Sequence, residues 1–229
     1  MNRLRPILDK LLHRSQHCGV AGRGIFDAVA MIRDSIAYAE MSHVPLCILC
    51  LDFTEAFDRI AHRYLFRLLT KCGFSTKFIA LIENMYNHAH SSIHINGHTT
   101  GPILIQCSVR QGCPMSMLLF ALLLNPLLTL LDQKIMGIRI GRRMRTTVVA
   151  YADDITLFVT SPADIPGVRE AIQTYERATD ASLNIRKSKA LVAGSWDVAI
   201  DMMGISYCTD INILGIHFTN SIAQSVNTS

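Results

Sequence analysis

Apolar residues recur at helical spacing in several stretches of the chain. Positions three and four residues apart lie on one face of an α-helix. The sets with this spacing are Leu4, Ile7, Leu8, Leu11 and Leu12; Ile25, Val29, Ile32 and Ile36; Leu65, Leu68, Leu69 and Cys72; Phe78, Ile79, Ile82 and Met85; and Val168, Ile172 and Tyr175. We therefore predict five helices, with Gly73 ending the third, Ser75 or Thr76 beginning the fourth and Asp164 capping the last.

One further stretch is apolar on all sides. The window from Met115 to Leu131 contains only four residues that interrupt its apolar character: Ser116, Asn125, Pro126 and Thr129. It is shorter than the roughly 20 apolar residues that a membrane-spanning helix needs. We therefore predict a helix that is buried in a protein core, and no membrane as a partner.

Three stretches have the composition of single strands. Leu46–Asp52 is nearly all apolar, as expected of a strand that is covered on both faces. Shorter strands are predicted near Ala190–Ala193 and at Ile213–Phe218, whereas the pattern is weak over 195–210 and after 220. The mixed order of strands and helices indicates an α+β sheet with helices on one face.

Two tight hairpins are also predicted. Asn96-Gly97 follows the short β-type run Ser92–Ile95, and the returning strand should extend from Ile103 to Val109. Two other β-rich runs, residues 146–150 and 155–159, are separated only by Tyr151-Ala152-Asp153-Asp154. The second hairpin would therefore carry two carboxylates at its tip.

The composition narrows the class of protein. Half of the 229 residues are hydrophobic and 17% are charged, which excludes intrinsic disorder. The net charge of +4 permits a polyanionic partner without requiring one. Seven scattered cysteines argue against a secreted disulfide framework and for an intracellular protein, in the nucleus or the cytoplasm. Cys47 and Cys50 would point to opposite faces of one strand and could not share a zinc ion.

Three aspartates are candidates for a metal site. Asp52 ends an apolar strand, and Asp153 and Asp154 lie at the tip of an apolar hairpin. A carboxylate at the edge of a dry core is costly unless it is paired or binds a cation, and Mg²⁺ prefers such oxygen ligands. Taken alone, Asp153-Asp154 is better explained by a solvated β-turn, because Asp is common in turns.

The other polar clusters have simpler explanations. His88, His90, His94 and His98 lack a metal-ligand spacing and are predicted to be exposed histidines. The basic stretch Arg139, Arg142, Arg143 and Arg145 is either a solvated loop or a phosphate contact. Gly112 and Pro114 form a rigid turn into the apolar helix.

Several ordered motifs together resemble a known family. The three main ones are Cys50-Leu51-Asp52-Phe53-Thr54-Glu55-Ala56-Phe57-Asp58, Val109-Arg110-Gln111-Gly112-Cys113-Pro114-Met115-Ser116 and Ala150-Tyr151-Ala152-Asp153-Asp154. They resemble successive motifs of reverse transcriptases, in the variant of non-LTR, LINE-type retrotransposons. Weaker matches are residues 18–25, ahead of the first acidic strand, residues 181–188, after the Asp-Asp hairpin, and residues 213–216, like the strand that grips the primer. The resemblance covers about 3–218, nearly the whole chain.

The resemblance implies a fold and a division of the chain. The fold would be α+β: a reverse-transcriptase palm, which is a ferredoxin-like sheet with helices on one face, plus a partial helical fingers region. Residues 1–45 would be the partial fingers region, and 46–193 the palm with the catalytic motifs. Residues 194–229 would contain the strand that resembles the primer grip and a weakly patterned tail. The finger strands should lie upstream of Met1 and the thumb downstream of Ser229.

The resemblance also implies roles for single residues. Asp52, Asp153 and Asp154 would be the catalytic and metal-binding triad, holding two Mg²⁺ ions for nucleotidyl transfer. Phe57 would lie under the incoming sugar and exclude a ribose 2′-hydroxyl. The remaining substrate-binding positions would be Gln111 at the incoming nucleotide, Gly112 and Pro114 beside the template, and Lys187 near the leaving phosphate.

The chain departs from the usual family pattern at four positions. Glu55 replaces a frequent Lys, Ser108 a Gly, Met115 a Leu and Met117 a Pro. None of these changes removes one of the three metal-binding aspartates. Met115 for Leu is a tolerable packing change, whereas Met117 for Pro loosens the turn.

The function that follows is that of an RNA-directed DNA polymerase core, a truncated piece of a retrotransposon protein. Its partners would be an RNA template, a DNA primer and deoxynucleoside triphosphates. A non-catalytic nucleic-acid-binding remnant of a decayed or domesticated element is the alternative. An intron-encoded or telomere-type polymerase fits the Phe57-Asp58 and Arg110–Pro114 details less well. The oligomeric state is left open.

Overall fold

A computed structural model of the protein describes residues 7, 10–54, 60–87, 90–104, 107, 114–141 and 144–219. The helices are α1 Ile25–Ser42, α2 His62–Lys71, α3 Thr76–Asn87, α4 Pro114–Lys134 and α5 Ile165–Thr179. The strands are β1 Leu46–Leu51, β2 His90–Ser91, β3 His94–Ile95, β4 His98–Thr99, β5 Ile103–Leu104, β6 Ile138–Ile140, β7 Met144–Thr146, β8 Val148–Tyr151, β9 Asp154–Val159, β10 Lys189–Ala193, β11 Ser206–Cys208, β12 Asp210–Ile213 and β13 Ile216–Thr219.

The main sheet has five strands in the order β11-β10-β1-β9-β8. Strand β1 pairs antiparallel with β9 on one side and with β10 on the other, and only β10 and β11 run parallel. Leu51, at the end of β1, pairs with Ile155, near the start of β9. This register brings the residue that follows β1 and the residue that begins β9 to the same edge of the sheet.

The central strand is buried on both faces. Cys47, Leu49 and Leu51 belong to one hydrophobic cluster, whereas Leu46 and Ile48 belong to another. Cys50 packs against the second cluster, so Cys47 and Cys50 lie on opposite faces as predicted. Each face of the sheet therefore has its own core.

Helix α4 is the central element of the first core. Nine of its leucines and phenylalanines are at most 4% exposed: Leu118, Leu119, Phe120, Leu122, Leu123, Leu124, Leu127, Leu128 and Leu131. By length and composition, its segment Met115–Lys134 could also cross a membrane, but most of it is buried within the protein. Residues of α2, α3 and α5 join the same core. The prediction of a core helix is confirmed.

The other face is also covered, which corrects the expectation of helices on one face only. Helix α1 packs there through Ala28, Ile32, Ile36 and Ala39, together with residues of the β12–β13 hairpin. The physical reason is that β1 is apolar on both sides and both sides need cover. Parts of the segments assigned to the fingers region and to the tail therefore share a core with the palm sheet.

Both predicted hairpins are present, but the strand that returns after Asn96-Gly97 is β4, not the predicted strand from Ile103, whose described part β5 pairs with β2. Around Asn96-Gly97, Ile95 pairs with His98, and both turn residues have positive φ, 48° and 81°. This hairpin continues into a ribbon whose residues 90–104 are all exposed. The second hairpin joins β8 to β9.

Two local predictions need correction. The segment predicted as one strand at Ile213–Phe218 is a hairpin, because Leu214 and Gly215 have φ values of 54° and 81° that turn the chain between β12 and β13. Asp164 does precede α5, but its side chain makes no cap hydrogen bond with that helix. Instead, the carboxylate accepts a hydrogen bond of 3.2 Å from the backbone N–H of Met136.

Candidate active site

Asp52 directly follows the central strand and is held through its own backbone. Its N–H donates to the hydroxyl of Ser188 at 3.1 Å, and its carbonyl accepts from the N–H of Asn184 at 2.8 Å. The Ser188 hydroxyl also donates to the carbonyl of Asn184 at 2.8 Å. Because Ser188 is only 1% exposed, water hardly competes for these bonds. The 184–188 turn therefore fixes the backbone from which the Asp52 side chain extends.

Asp153 and Asp154 lie at the tip of the β8–β9 hairpin. Tyr151 pairs with Asp154, so Ala152 and Asp153 form a two-residue turn. Ala152 has a φ of 55°, a left-handed conformation that is uncommon for a residue with a side chain. Such turns favour glycine, asparagine or aspartate where φ is positive, so this turn needs support from its surroundings.

The three aspartates come together at one edge of the sheet. Although Asp154 is an exposed residue, its pKa is raised, first by desolvation and then by the charges of Asp153 and Asp52. Charges raise a neighbouring carboxyl's pKa only at short range. The strand register supplies the geometry: Leu51 pairs with Ile155 and Tyr151 with Asp154, so Asp52, Asp153 and Asp154 lie at the same edge of the sheet, and their role as a metal-binding triad stays a prediction.

This donor set fits a hard divalent cation, which prefers carboxylate oxygens and commonly takes one or two of them together with substrate phosphates. Among the described residues, no three His, Cys, Asp or Glu side chains are close enough to ligate one ion directly. The sheet edge therefore gathers carboxylates of the right chemistry without placing three ligands of the described residues on one ion.

A residue that the sequence analysis did not identify supports the turn. The Gln16 side chain is fully buried, and its Oε1 accepts from the N–H groups of Ala152 at 3.2 Å and Cys18 at 3.0 Å. Its Nε2 donates to the carbonyl of Ala152 at 3.4 Å. The one sequence signal was its place, two residues before the family-like segment that begins at Cys18.

The backbone around Gln16 extends the sheet beyond β8. The N–H of His17 donates to the carbonyl of Ala150, and the N–H of Ala150 donates to the carbonyl of Ser15, both at 2.8 Å. Gln16 and Ala150 thus form a parallel bridge at the free side of β8. The edge strand that leads into the turn therefore has a partner on each side.

Two sets of partly buried hydrogen bonds hold this N-terminal segment in place. The Arg23 guanidinium donates to the carbonyls of His13 and Gln16, each at 2.9 Å. Asn125 in α4 donates to the carbonyl of Leu11 at 2.9 Å and accepts from the N–H of His13. The asparagine that interrupts the apolar helix thus ties the segment to the core.

The predicted substrate-binding residues are placed only in part. Lys187 is exposed on the turn that holds Asp52, and its N–H donates to the carbonyl and the Oδ1 of Asn184, both at 3.2 Å. Pro114 begins α4. Phe57, Gln111 and Gly112 lie outside the described residues.

The alternative sites predicted from polar clusters are also located. His90, His94 and His98 are exposed on the ribbon, as predicted, and His88 is not among the described residues. The Arg145 guanidinium binds the carbonyls of Asp132, Ile135 and Met136 at 2.7–2.9 Å, and so caps the end of α4. Arg145 therefore does not belong to a solvated loop, and its guanidinium is already bound to backbone carbonyls and is not free to bind a phosphate. Arg139 is exposed, and positions 142 and 143 lie outside the described part of the chain.

Comparisons with known proteins agree with this geometry. Residues 1–218 match the family described as reverse transcriptase (RNA-dependent DNA polymerase). The chain is 36% identical over 197 residues to the transposon TX1 uncharacterized 149 kDa protein of Xenopus laevis, covering 86% of this chain and 15% of that protein. It is 26% identical over 172 residues to the retrovirus-related Pol polyprotein from the type-1 retrotransposable element R2 of Popillia japonica, covering 75% of this chain and 28% of the relative.

Solved structures show the same fold. Telomerase from Candida tropicalis, in complex with the TWJ fragment of telomeric RNA, superposes with a TM-score of 0.68 at 12% identity over 95% of this chain and 35% of that one. Apo telomerase of the same organism, truncated from its C-terminal domain, gives 0.66 at 13% identity, over 95% of this chain and 43% of that one. The α+β palm fold is therefore confirmed, and the chain spans less than half of the length of each of these proteins.

Proposed function

Because the chain belongs to the reverse transcriptase (RNA-dependent DNA polymerase) family, we propose that it is the catalytic core of an RNA-directed DNA polymerase. It comes from a retrotransposon protein of the non-LTR, LINE type, like its TX1 and R2 relatives. The observation that carries the proposal is the meeting of Asp52, Asp153 and Asp154 at one sheet edge. Its substrates are an RNA template, a DNA primer and deoxynucleoside triphosphates.

The three aspartates would hold two Mg²⁺ ions. When bound, such a pair lowers the pKa of the primer 3′-hydroxyl and neutralises charge on the triphosphate and on the leaving pyrophosphate. The chain's own contribution is geometric. Asp52 is fixed by the 184–188 turn, and Asp153 and Asp154 by a hairpin whose backbone is held from the N-terminal segment. Positioning of this kind is the main source of catalysis in phosphoryl transfer.

Lys187 extends from the turn that holds Asp52. An exposed ammonium group at this position would meet a phosphate as a point charge. Because Asn184 binds the backbone of both Asp52 and Lys187, the turn sets the backbone position from which the Lys187 side chain extends relative to Asp52. This arrangement supports the role of Lys187 at the leaving phosphate.

Primer extension on an RNA template with Mg²⁺ tests the proposal. We expect little or no synthesis by the 229-residue chain alone, because few phosphate contacts give weak, salt-sensitive binding of the duplex. A longer polypeptide that restores the flanking regions should extend the primer and lose this activity on Asp153→Ala. Asp34→Ala, which removes an exposed carboxylate on α1, is the matched control and should remain active.

Each result of the primer-extension experiment supports or contradicts a specific part of the proposal. Extension by the longer polypeptide that survives Asp153→Ala would refute the assignment of the triad. A longer polypeptide that binds RNA but never extends a primer would support the alternative, a non-catalytic nucleic-acid-binding remnant. Robust, triad-dependent synthesis by the isolated chain would contradict only the expectation that the flanking regions are needed.

The choice of sugar is tested separately at Phe57. In the longer polypeptide, Phe57→Val should admit ribonucleotides, because the ring that would meet the 2′-hydroxyl is gone. Single-nucleotide incorporation with dNTP and with rNTP measures the ratio of the two kcat/KM values. Unchanged discrimination would reject the role of Phe57, without affecting the assignment of the triad.

A further inference from the structure

We propose that Gln16 is the positioning residue of the catalytic turn: its side-chain amide fixes the backbone that presents Asp153 and Asp154. This inference rests on the proposed function for the role of the two carboxylates. It names a residue that lies far from the three main motifs in sequence and contributes no ligand of its own. Gln16 acts through the backbone of Ala152.

The hydrogen bonds of Gln16 define the conformation of one residue. The N–H of Ala152 belongs to the peptide plane before its Cα atom, and its carbonyl belongs to the plane after it. Gln16 binds the N–H at 3.2 Å and the carbonyl at 3.4 Å. Fixing both planes fixes φ and ψ of Ala152, and thereby the direction in which the chain enters Asp153.

Ala152 is the residue of this turn that requires such control. Its φ of 55° is disfavoured for alanine because the Cβ atom approaches the backbone. The conformation persists only when the surroundings determine it. Two of the groups that bind its backbone come from Gln16, which is fully buried, so that water does not compete for them. The Cys18 thiol also interacts with the Ala152 backbone.

Glutamine suits this role chemically. The contact needs an acceptor for two N–H groups, those of Ala152 and Cys18, and a donor for one carbonyl. An amide supplies both from neighbouring atoms, whereas a carboxylate supplies only the acceptor. Only one orientation of the amide satisfies all three partners, so the assignment of Oε1 and Nε2 follows from the contacts.

The positioning role can be separated from a general role in stability. The backbone of Ser15 and His17 pairs with Ala150 without any help from the Gln16 side chain. A variant that keeps the backbone but loses the amide therefore leaves the edge of the sheet paired and frees only the groups that the amide binds, which are the Ala152 backbone and the Cys18 N–H. Gln16→Met is such a variant, because methionine has a similar length and no strong hydrogen-bonding group.

Amide hydrogen exchange in the 229-residue chain, followed by NMR, tests the proposal without any activity measurement. In Gln16→Met, the Ala152 N–H should exchange at least about tenfold faster, because a lost hydrogen bond lowers the local opening free energy. The Ala150 N–H, which donates to Ser15, should keep its rate. In Gln16→Glu, the Ala152 N–H should stay protected, since a carboxylate still accepts this bond.

The control is Gln173→Met, the same substitution at an exposed position of α5, which should alter neither rate. An unchanged Ala152 rate in Gln16→Met would overturn the proposal. A parallel increase at Ala150 and Ala152 would overturn it too, because Gln16 would then stabilise the whole edge. If Gln16→Met fails to fold, the result for Gln16→Glu decides. Loss of Ala152 protection in that variant, with Ala150 still protected, would show that the side chain at position 16 does not accept the Ala152 N–H and would overturn the proposal.

A second experiment links the turn to the chemistry. In the longer polypeptide, Gln16→Met should lower kcat for single-nucleotide addition at least about tenfold. The KM for primer-template should change less than about twofold, because Gln16 is buried and contacts no substrate surface. A change in KM alone would contradict the positioning role. If no version of the polypeptide extends a primer, the proposed function fails, while the exchange rates still report whether Gln16 holds the turn.

Discussion

Asp52 and the Asp153–Asp154 turn reach the same edge of the sheet with different kinds of support. Asp52 follows the central strand, which has a paired neighbour on each side, and its own N–H and carbonyl are bound by the 184–188 turn. The two other aspartates lie on a hairpin whose strand β8 ends the five-stranded order. That hairpin depends on Gln16, from a segment outside the sheet. A central strand thus positions its terminal residue through the sheet, whereas an edge hairpin needs a separate support.

The strongest test of this comparison asks whether the carboxylates act as one unit. In the longer polypeptide, Asp52→Ala and Asp154→Ala should each lower kcat by about 10³ or more, since each removes charge stabilisation from the same transition state. The double variant should lose little more than either single variant, because groups that act together are not additive. Single-turnover primer extension measures all three.

Additive losses in the double variant would contradict a shared site. A loss confined to Asp154→Ala would show that Asp52, despite its firm position, does not take part. The exposed Asp34→Ala again provides the control for removing a carboxylate.

The next largest effect is expected from the hydrogen bonds that hold the Asp52 backbone. Ser188→Ala removes the acceptor for the Asp52 N–H and the donor to the Asn184 carbonyl. The free energy of unfolding should fall by about 1–3 kcal/mol, because polar groups in a buried position lose their partners. Denaturant unfolding of the 229-residue chain measures this change, and kcat of the longer polypeptide should fall about tenfold, equivalent to a barrier rise of about 1.4 kcal/mol.

A buried serine elsewhere serves as the control. Ser35 in α1 is also fully buried, and its hydroxyl donates to the Met31 carbonyl within the helix. Ser35→Ala should cost less stability and leave kcat unchanged. Equal kcat in the Ser188→Ala and Ser35→Ala variants would show that the 184–188 turn does not position Asp52.

The smallest expected effect is a pH dependence that should differ between the Gln16 contact with Ala152 and the 184–188 turn that holds Asp52. The pKa of the buried His17 is lowered, first by desolvation and then by the positive charge of Arg23. A histidine whose pKa is lower in the folded than in the unfolded chain binds protons mainly after unfolding. Its contribution to stability is therefore complete above the ordinary value of 6.5 and is lost as the pH falls below it.

We expect the chain to lose stability from His17 as the pH falls from about 7.5 to about 5, because the unfolded chain then binds the proton more readily. His13, whose pKa is lowered chiefly by desolvation, adds to the loss in the same direction. Denaturant unfolding at both pH values measures the change, and His17→Leu should reduce it. After correction for the intrinsic pH dependence of amide exchange, the protection of the Ala152 N–H should fall on acidification more than the protection of the Asn184 N–H, since no histidine contacts the described bonds of the 184–188 turn. The opposite order would contradict the difference between the two supports.

Local patterns predicted most of the elements that carry the chemistry. The β-rich runs around residues 151–154 indicated the hairpin, and the motif residues placed Asp52 at the end of a strand. The composition of Leu46–Asp52 had also indicated cover on both faces, which the resemblance to a palm with helices on one face did not include. In the structure, α1 supplies that second cover.

The contacts that hold the aspartates in place were much harder to predict. The parallel bridge of Gln16 with Ala150 is formed by an irregular segment, and such pairing has no periodic pattern of apolar residues. Strand β11 lies in the weakly patterned stretch, where Trp196, Met202 and Ile205 are buried without a regular spacing. Asn184 and Ser188 were visible as motif residues, but their bonds to Asp52 depend on the tertiary structure.

The two hydrogen bonds that position the aspartates each join residues with the same separation along the chain. Gln16 and Ala152 are 136 positions apart, and so are Asp52 and Ser188. Closing loops of this length has an entropic cost that local contacts do not offset, and folds that depend on such contacts form slowly. During synthesis, the carboxylate edge stays incomplete until Ser188 has been translated and has left the ribosome. The nascent chain therefore passes through an interval in which the three aspartates are present but the bond between Asp52 and Ser188 has not yet formed.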